Sequence, residues 1–157
     1  LDALRSMQVL DRYFPEIAAM EFTQQRDDWH AEGSVWVHTL LALDKAAKVI
    51  KNFPDEKDKR IIMLATLMHD SGKASTTTYN EEGLPSQHGH EAAGVEPTKT
   101  FLAKLTNEPD LIGDVLFLVE NHLRPLEWHK NPPSDSVFRR AINKYGMRRL
   151  NLLAAVS

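Results

Sequence analysis

Cysteine is absent from the 157 residues, which excludes a disulfide framework and a thiolate zinc cluster, so any metal must be held by nitrogen and oxygen ligands. Long apolar runs are missing too: no stretch approaches the roughly 20 residues that a membrane helix needs, and no signal peptide is visible. A cytoplasmic location is therefore expected. Positive charge is not in excess. With 19 basic and 22 acidic side chains the net charge is −3, which gives no electrostatic case for a general nucleic-acid surface. The late basic cluster Arg139, Arg140, Lys144, Arg148 and Arg149 reads as a solvated helix face. No segment reads as a strand, an internal repeat or a low-complexity tract.

What is present is helical patterning around one core. A hydrophobic content of 42% in a chain of this length fits a single domain. Leu4, Met7, Leu10 and Phe14 predict a helix over 2–14 that Pro15 interrupts, and 23–33 is polar and reads as a loop. Ser34 caps a long helix to about Asn52, in which Val35, Leu41 and Ala42 share the face of His38 and turn it inward. A third helix runs from about Asp55 to Asp70, ended by a left-handed Gly72, with Ile62 and Ala65 leading to His69.

The stretch from Ser71 to Gly89 lacks any apolar period and is expected to be a long functional loop. Helix resumes from about Gln87 to Leu105 with a kink or restart at Pro97, and another near 110–122 carries the stripe Leu111, Val115, Leu118 and His122. Pro125, Pro132 and Pro133 make 124–134 a loop, and a last helical region starts at Asp135 and breaks near Gly146. The class is all-α. The chain opens inside a helix-like run and is expected to be a piece of a longer polypeptide.

His38, His69-Asp70, His90 and His122 fall within or beside apolar stripes of different helices. A buried imidazole or carboxylate must be paired or coordinated, and imidazoles and carboxylates on fixed helices are what a water-activating divalent metal needs. A lone helix histidine is more often a hydrogen-bonded core residue, so the joint pattern carries the inference. His88 reads as a loop or supporting residue, His30 and His129 as surface or loop histidines. Thr76, Thr77 and Thr78 read as plain loop, and Trp29, Trp36 and Trp128 as packing residues.

The run Met68-His69-Asp70-Ser71-Gly72-Lys73, with His38 before it and His90-Glu91-Ala92-Ala93-Gly94 and Val119-Glu120-Asn121-His122 after it, resembles the HD superfamily of metal-dependent phosphohydrolases. Phe14-Pro15-Glu16, the segment from Trp29 to Leu40, Gly89-His90-Glu91 and Asn121-His122-Leu123-Arg124-Pro125 look more specifically like the C-terminal HD region of bacterial tRNA nucleotidyltransferases, the CCA-adding and poly(A)-polymerase-like enzymes. That resemblance implies an HD helical bundle over 34–157, truncated at its C-terminal end, preceded at 1–33 by a helix and linker. It implies that His38, His69, Asp70, His90 and His122 are ligands of one or two divalent ions (Ni, Mn, Co, Mg, Fe or Zn), with Asp70 placed to bridge. Asp70 and Lys73 would be the catalytic pair, and Lys73 and Arg124 would meet the substrate phosphate.

The implied activity is hydrolysis of a nucleotide or tRNA 3'-end phosphoester, including 2',3'-cyclic ones. The paired carboxylates of the nucleotidyltransferase head are not found here, so CCA addition belongs to a head expected elsewhere in the parent polypeptide. The alternative is a non-catalytic helical appendage that positions such an enzyme or supports its homodimer. A signalling-nucleotide hydrolase would share the core motif without the Trp29 to Leu40 context. Three departures stand out. The family's closing late-helix aspartate has no counterpart, Asp135 lying too early and reading as a cap. Ala31 replaces a usual proline, and Ser34 a usual aspartate.

Overall fold

In the computed structural model, which describes residues 1–26 and 33–156, the centre is built from helices α4 (Val35–Val49), α5 (Glu56–Met68), α9 (Pro109–Asn121) and α12 (Met147–Val156). α5 packs between α4 and α9, and α12 lies across α5 and α9. The all-α expectation holds. Ile61, Ile62, Ala65 and Met68 of α5 meet Leu111, Val115 and Leu118 of α9 and Leu152 and Leu153 of α12 in one buried cluster. Among the described residues no helix is long and apolar enough to cross a membrane.

Local chemistry explains the helix starts. Ser34 Oγ accepts from the Val37 amide at 3.3 Å, and Asp55 Oδ1 accepts from the Lys57 amide at 2.8 Å, each satisfying a donor that the helix cannot. A charged clamp then fastens α12. Arg149 Nε donates to Asp114 Oδ1 at 2.7 Å, while Arg148 Nε donates to Asp58 Oδ1 at 2.9 Å and its terminal nitrogens also reach Asp114 and Asp58. Arg148 and Arg149 are thus tied to α9 and α5 rather than free on a solvated face.

Several boundaries differ from the sequence expectation. The first helix is split into α1 (Asp2–Ser6) and α2 (Val9–Tyr13) because Gln8 is left-handed, with φ 56°. Leu4 and Met7 are therefore exposed while Leu10 is buried. α3 (Pro15–Ala18) and a 3-10 turn (Ala19–Phe22) follow. The expected loop 71–89 holds α6 (Lys73–Thr76) and a short antiparallel hairpin, β1 (Thr78–Tyr79) with β2 (Pro85–Ser86).

The helix expected over 87–105 is α7 (His90–Ala93) and α8 (Val95–Ala103), broken at Gly94. Pro97 sits in the first turn of α8, where its missing N–H costs nothing. The expected loop 124–134 is mostly α10 (Arg124–Lys130), since Pro125 occupies the first turn and starts a helix rather than ending one. α11 (Asp135–Tyr145) precedes Gly146, whose φ of 80° makes the anticipated break. Ser134, not Asp135, is the residue at the cap position of α11.

Candidate metal centre

α5 ends with Met68 buried in the core, and the chain turns at once, so His69 and Asp70 leave the helix facing its packed neighbours. The turn closes on Gly72, whose φ of −69° is right-handed, contrary to the expected left-handed stop. Glycine is required for another reason. A Cβ there would lie 2.1 Å from the His90 carbonyl oxygen and 2.5 Å from the Gly94 nitrogen. α6 and α7 can therefore touch backbone to backbone, which brings His90 beside Asp70.

Asp70 is the hub. Its Oδ2 lies 3.2 Å from His69 Nε2 and 3.6 Å from His38 Nε2. Its Oδ1 lies 3.2 Å from His90 Nε2 and 3.8 Å from His122 Nε2. Two groups that could hold an ion result, His38 with His69 and Asp70, and Asp70 with His90 and His122. All are buried except His38, whose side chain is 26% exposed. His38 stands at the edge of the site: of the residues expected to share its face, Val35 is buried but Leu41 is exposed.

The rings are oriented from behind. Nδ1–H of His69 donates to the Thr66 carbonyl at 2.8 Å, that of His90 to the Gln87 carbonyl at 2.8 Å, and that of His122 to the Val119 carbonyl at 2.7 Å. A carbonyl only accepts, so these bonds fix the Nδ1–H tautomer of each neutral ring and leave Nε2 with its lone pair toward the cluster. His90 and His122 then oppose bare Nε2 atoms at 3.2 Å, and the Nε2 atoms of His69 and His38 lie 3.3 Å apart. Opposed lone pairs beside a buried carboxylate fit a bound cation. Asp70 Oδ2 also lacks an aligned hydrogen-bond donor among the described residues, as a ligand oxygen would.

Burial alone would raise the Asp70 carboxyl, but the His69 and Lys73 charges and the close approach of the His69 and His90 imidazoles hold it well below the usual carboxylate range. Burial likewise opposes charge on His69, yet Asp70 outweighs it and the imidazole is raised. His122 is lowered to about 4 by burial and by the charge on His69, so at neutral pH it is a neutral donor.

A family model described as HD domain matches residues 35–155. The chain belongs to the HD domain family. Among curated relatives, this HD domain is 38% identical over 99 residues to a multifunctional CCA protein of Pasteurella multocida, covering 63% of the chain and 22% of the relative. It is 36% identical over 105 residues to that of Neisseria meningitidis strain FAM18, covering 67% of the chain and 23% of the relative. It is 33% identical over 121 residues to that of Shewanella denitrificans, covering 77% and 27%. The chain thus spans about a quarter of the length of the curated relatives it matches. No solved structure matches it.

Other anticipated residues are placed differently. Lys73 is not in an open loop; it begins α6, is 5% exposed, and lies 2.8 Å from Asp70 Oδ2. Arg124 donates to the Tyr145 hydroxyl at 3.3 Å and faces the Trp128 and Tyr145 rings. Thr76 and Thr77 spend their hydroxyls on the Gly72 and Lys73 carbonyls. Trp36 is buried and Trp128 packs edge-on against Phe138, whereas His88 and His129 are exposed. Asp135 is exposed and pairs with Arg139, apart from the cluster. Trp29, His30, Ala31 and Glu32 lie outside the described residues.

One site residue was missed. Gln25, in the segment read as a polar loop, is 3% exposed and its Oε1 accepts from Lys73 Nζ at 2.5 Å. Nothing in the local pattern separates it from neighbouring Gln24. A cavity of about 320 Å³ lined by Lys57, Asp110, Asp114, Tyr145, Arg148 and Arg149 contains none of the clustered histidines.

Proposed function

We propose that this HD domain is a metal-dependent phosphohydrolase acting on nucleotide or RNA-terminal phosphoesters, 2',3'-cyclic ones included. The observation that carries the reading is Asp70, whose two oxygens each face a pair of imidazole Nε2 atoms. His38, His69, Asp70, His90 and His122 are the proposed ligands, with Asp70 placed to bridge if two ions bind. A bound divalent ion would supply Lewis acidity toward phosphoryl oxygens and make an attacking water more acidic.

The chain's own residues would do the rest. The backbone carbonyls behind His69, His90 and His122 keep their donor atoms aimed inward. Lys73 places its ammonium beside the cluster, where it donates to Gln25 and forms an ion pair with Asp70 Oδ2 at 2.8 Å. That cation would stabilise a phosphoryl oxygen, where charge builds up as phosphorus is attacked. His38, the most open of the five, marks the side from which substrate enters.

The relatives, named multifunctional CCA proteins, support a nucleotide or RNA-terminal substrate class. The parent polypeptide would carry a nucleotidyltransferase head and act on tRNA. The test is hydrolysis of 2',3'-cyclic AMP and an aryl phosphate after chelation and re-addition of Ni²⁺, Co²⁺, Mn²⁺ or Mg²⁺. Turnover that returns with an ion and disappears in Asp70→Ala supports the proposal. An ion-loaded protein without turnover on either substrate contradicts it.

A further inference from the structure

Gln25 is held more firmly than a loop glutamine needs to be. Its amide donates to the Gly33 carbonyl at 3.0 Å, the Val35 amide donates to the Thr23 carbonyl at 3.0 Å, and Gln24 bridges Ser34. On the other side, Gln87 Nε2 donates to the Gln24 carbonyl at 2.6 Å. The same Gln87 accepts the ring N–H of His90 through its carbonyl. Segment 23–25 is thus clamped between the start of the His38 helix and the residue that orients His90.

The orientation of the Gln25 amide is fixed by its neighbour. An ammonium only donates, so the group facing Lys73 Nζ at 2.5 Å must be the oxygen. The NH₂ end points away from Lys73, is buried, and has no hydrogen-bond partner among the described residues. A buried amide donor without a partner costs free energy. The Lys73 ammonium that this amide accepts from lies 2.8 Å from Asp70 Oδ2, so the unpartnered Nε2 belongs to a side chain one contact removed from the cluster.

We propose that Gln25 is a substrate-positioning residue: its Oε1 fixes Lys73, and its Nε2 donates to a non-bridging oxygen of the bound phosphoester. This rests on the phosphohydrolase reading above. It accounts for the buried unpartnered amide, for which a phosphoryl oxygen supplies the acceptor.

The test uses the whole chain, wild type and the variants Gln25→Glu and Gln25→Met, loaded with Mn²⁺. Metal content, thermal midpoint, calorimetric affinity for inorganic phosphate, and KM and kcat on 2',3'-cyclic AMP are measured. Gln25→Glu keeps an acceptor for Lys73 but replaces the donor by a negative oxygen; Gln25→Met has neither an amide donor nor a carbonyl acceptor. Both are expected to keep metal content near wild type. Both should weaken phosphate binding by roughly tenfold or more, as loss of a hydrogen bond to a charged group does, and raise KM more than they lower kcat. Wild-type phosphate affinity in a folded, loaded variant overturns the proposal while leaving the phosphohydrolase reading intact. A loaded wild type that neither binds phosphate nor hydrolyses substrate overturns both.

Discussion

His90 Nε2 and His122 Nε2 face each other at 3.2 Å while both rings spend their Nδ1–H on backbone carbonyls. Neither neutral ring has a proton to give the other. The pair is a donor set that could hold a cation, and Asp70 Oδ1 lies 3.2 Å from the first and 3.8 Å from the second.

Removing the hub should therefore cost more than removing one ring. Asp70→Ala is expected to weaken Mn²⁺ or Ni²⁺ binding roughly 100-fold or more and His122→Ala roughly 10–100-fold, on the scale of lost metal-site interactions. Isothermal titration calorimetry on the chelated protein gives both values. Equal affinities for wild type and Asp70→Ala would remove Asp70 from the site.

Metal should also stabilise the fold, because the unfolded chain has no assembled site. At a free concentration about 100 times the dissociation constant the gain is roughly 2.7 kcal/mol, equivalent to about 5–10 °C in Tm for a domain of this size. Thermal unfolding with Mn²⁺ and with excess chelator measures the difference. Superimposable curves would contradict it.

Gly72 supplies a test of how the site is assembled. Since a Cβ would meet the His90 carbonyl at 2.1 Å, Gly72→Ala has to push α6 and α7 apart. The expected loss is about 1–3 kcal/mol or more, with weaker metal binding because His90 moves. Urea unfolding with metal analysis on the same samples reads both, and wild-type values for the two would rule out the close approach.

The lesson for sequence reading lies in that glycine. His38, His69, Asp70, His90 and His122 were legible as a set because each sits by an apolar helical stripe, and the buried faces of α5 and α9 matched the expected spacing. Gly72 was legible as special but for the wrong reason, since a backbone contact with residues about twenty positions away leaves no local pattern. Gln25 was invisible for the same cause: its side-chain partner, Lys73, lies 48 positions away. Pro125 misled because a proline at the first turn starts a helix as readily as another ends one.

Away from the metal centre, Asp114 should govern acid stability. Burial alone would raise its carboxyl, but the hydrogen bonds from Arg148 and Arg149 outweigh burial and hold it below its ordinary value. A depressed carboxyl stabilises the fold above the unfolded-state value, and that contribution is lost as pH falls through the folded-state value. Asp114→Asn should cost about 1–3 kcal/mol at neutral pH, toward the lower end because the arginines are partly exposed. The gap to wild type should narrow below about pH 4. Chelated protein unfolded in urea across this range checks the sign; a gap that widens on acidification would refute it.

The most direct measurement is anomalous diffraction from a crystal of the chain soaked in Mn²⁺. The account predicts density among His38, His69 and Asp70, among Asp70, His90 and His122, or at both places. A well-ordered cluster with no anomalous peak at either position would contradict it.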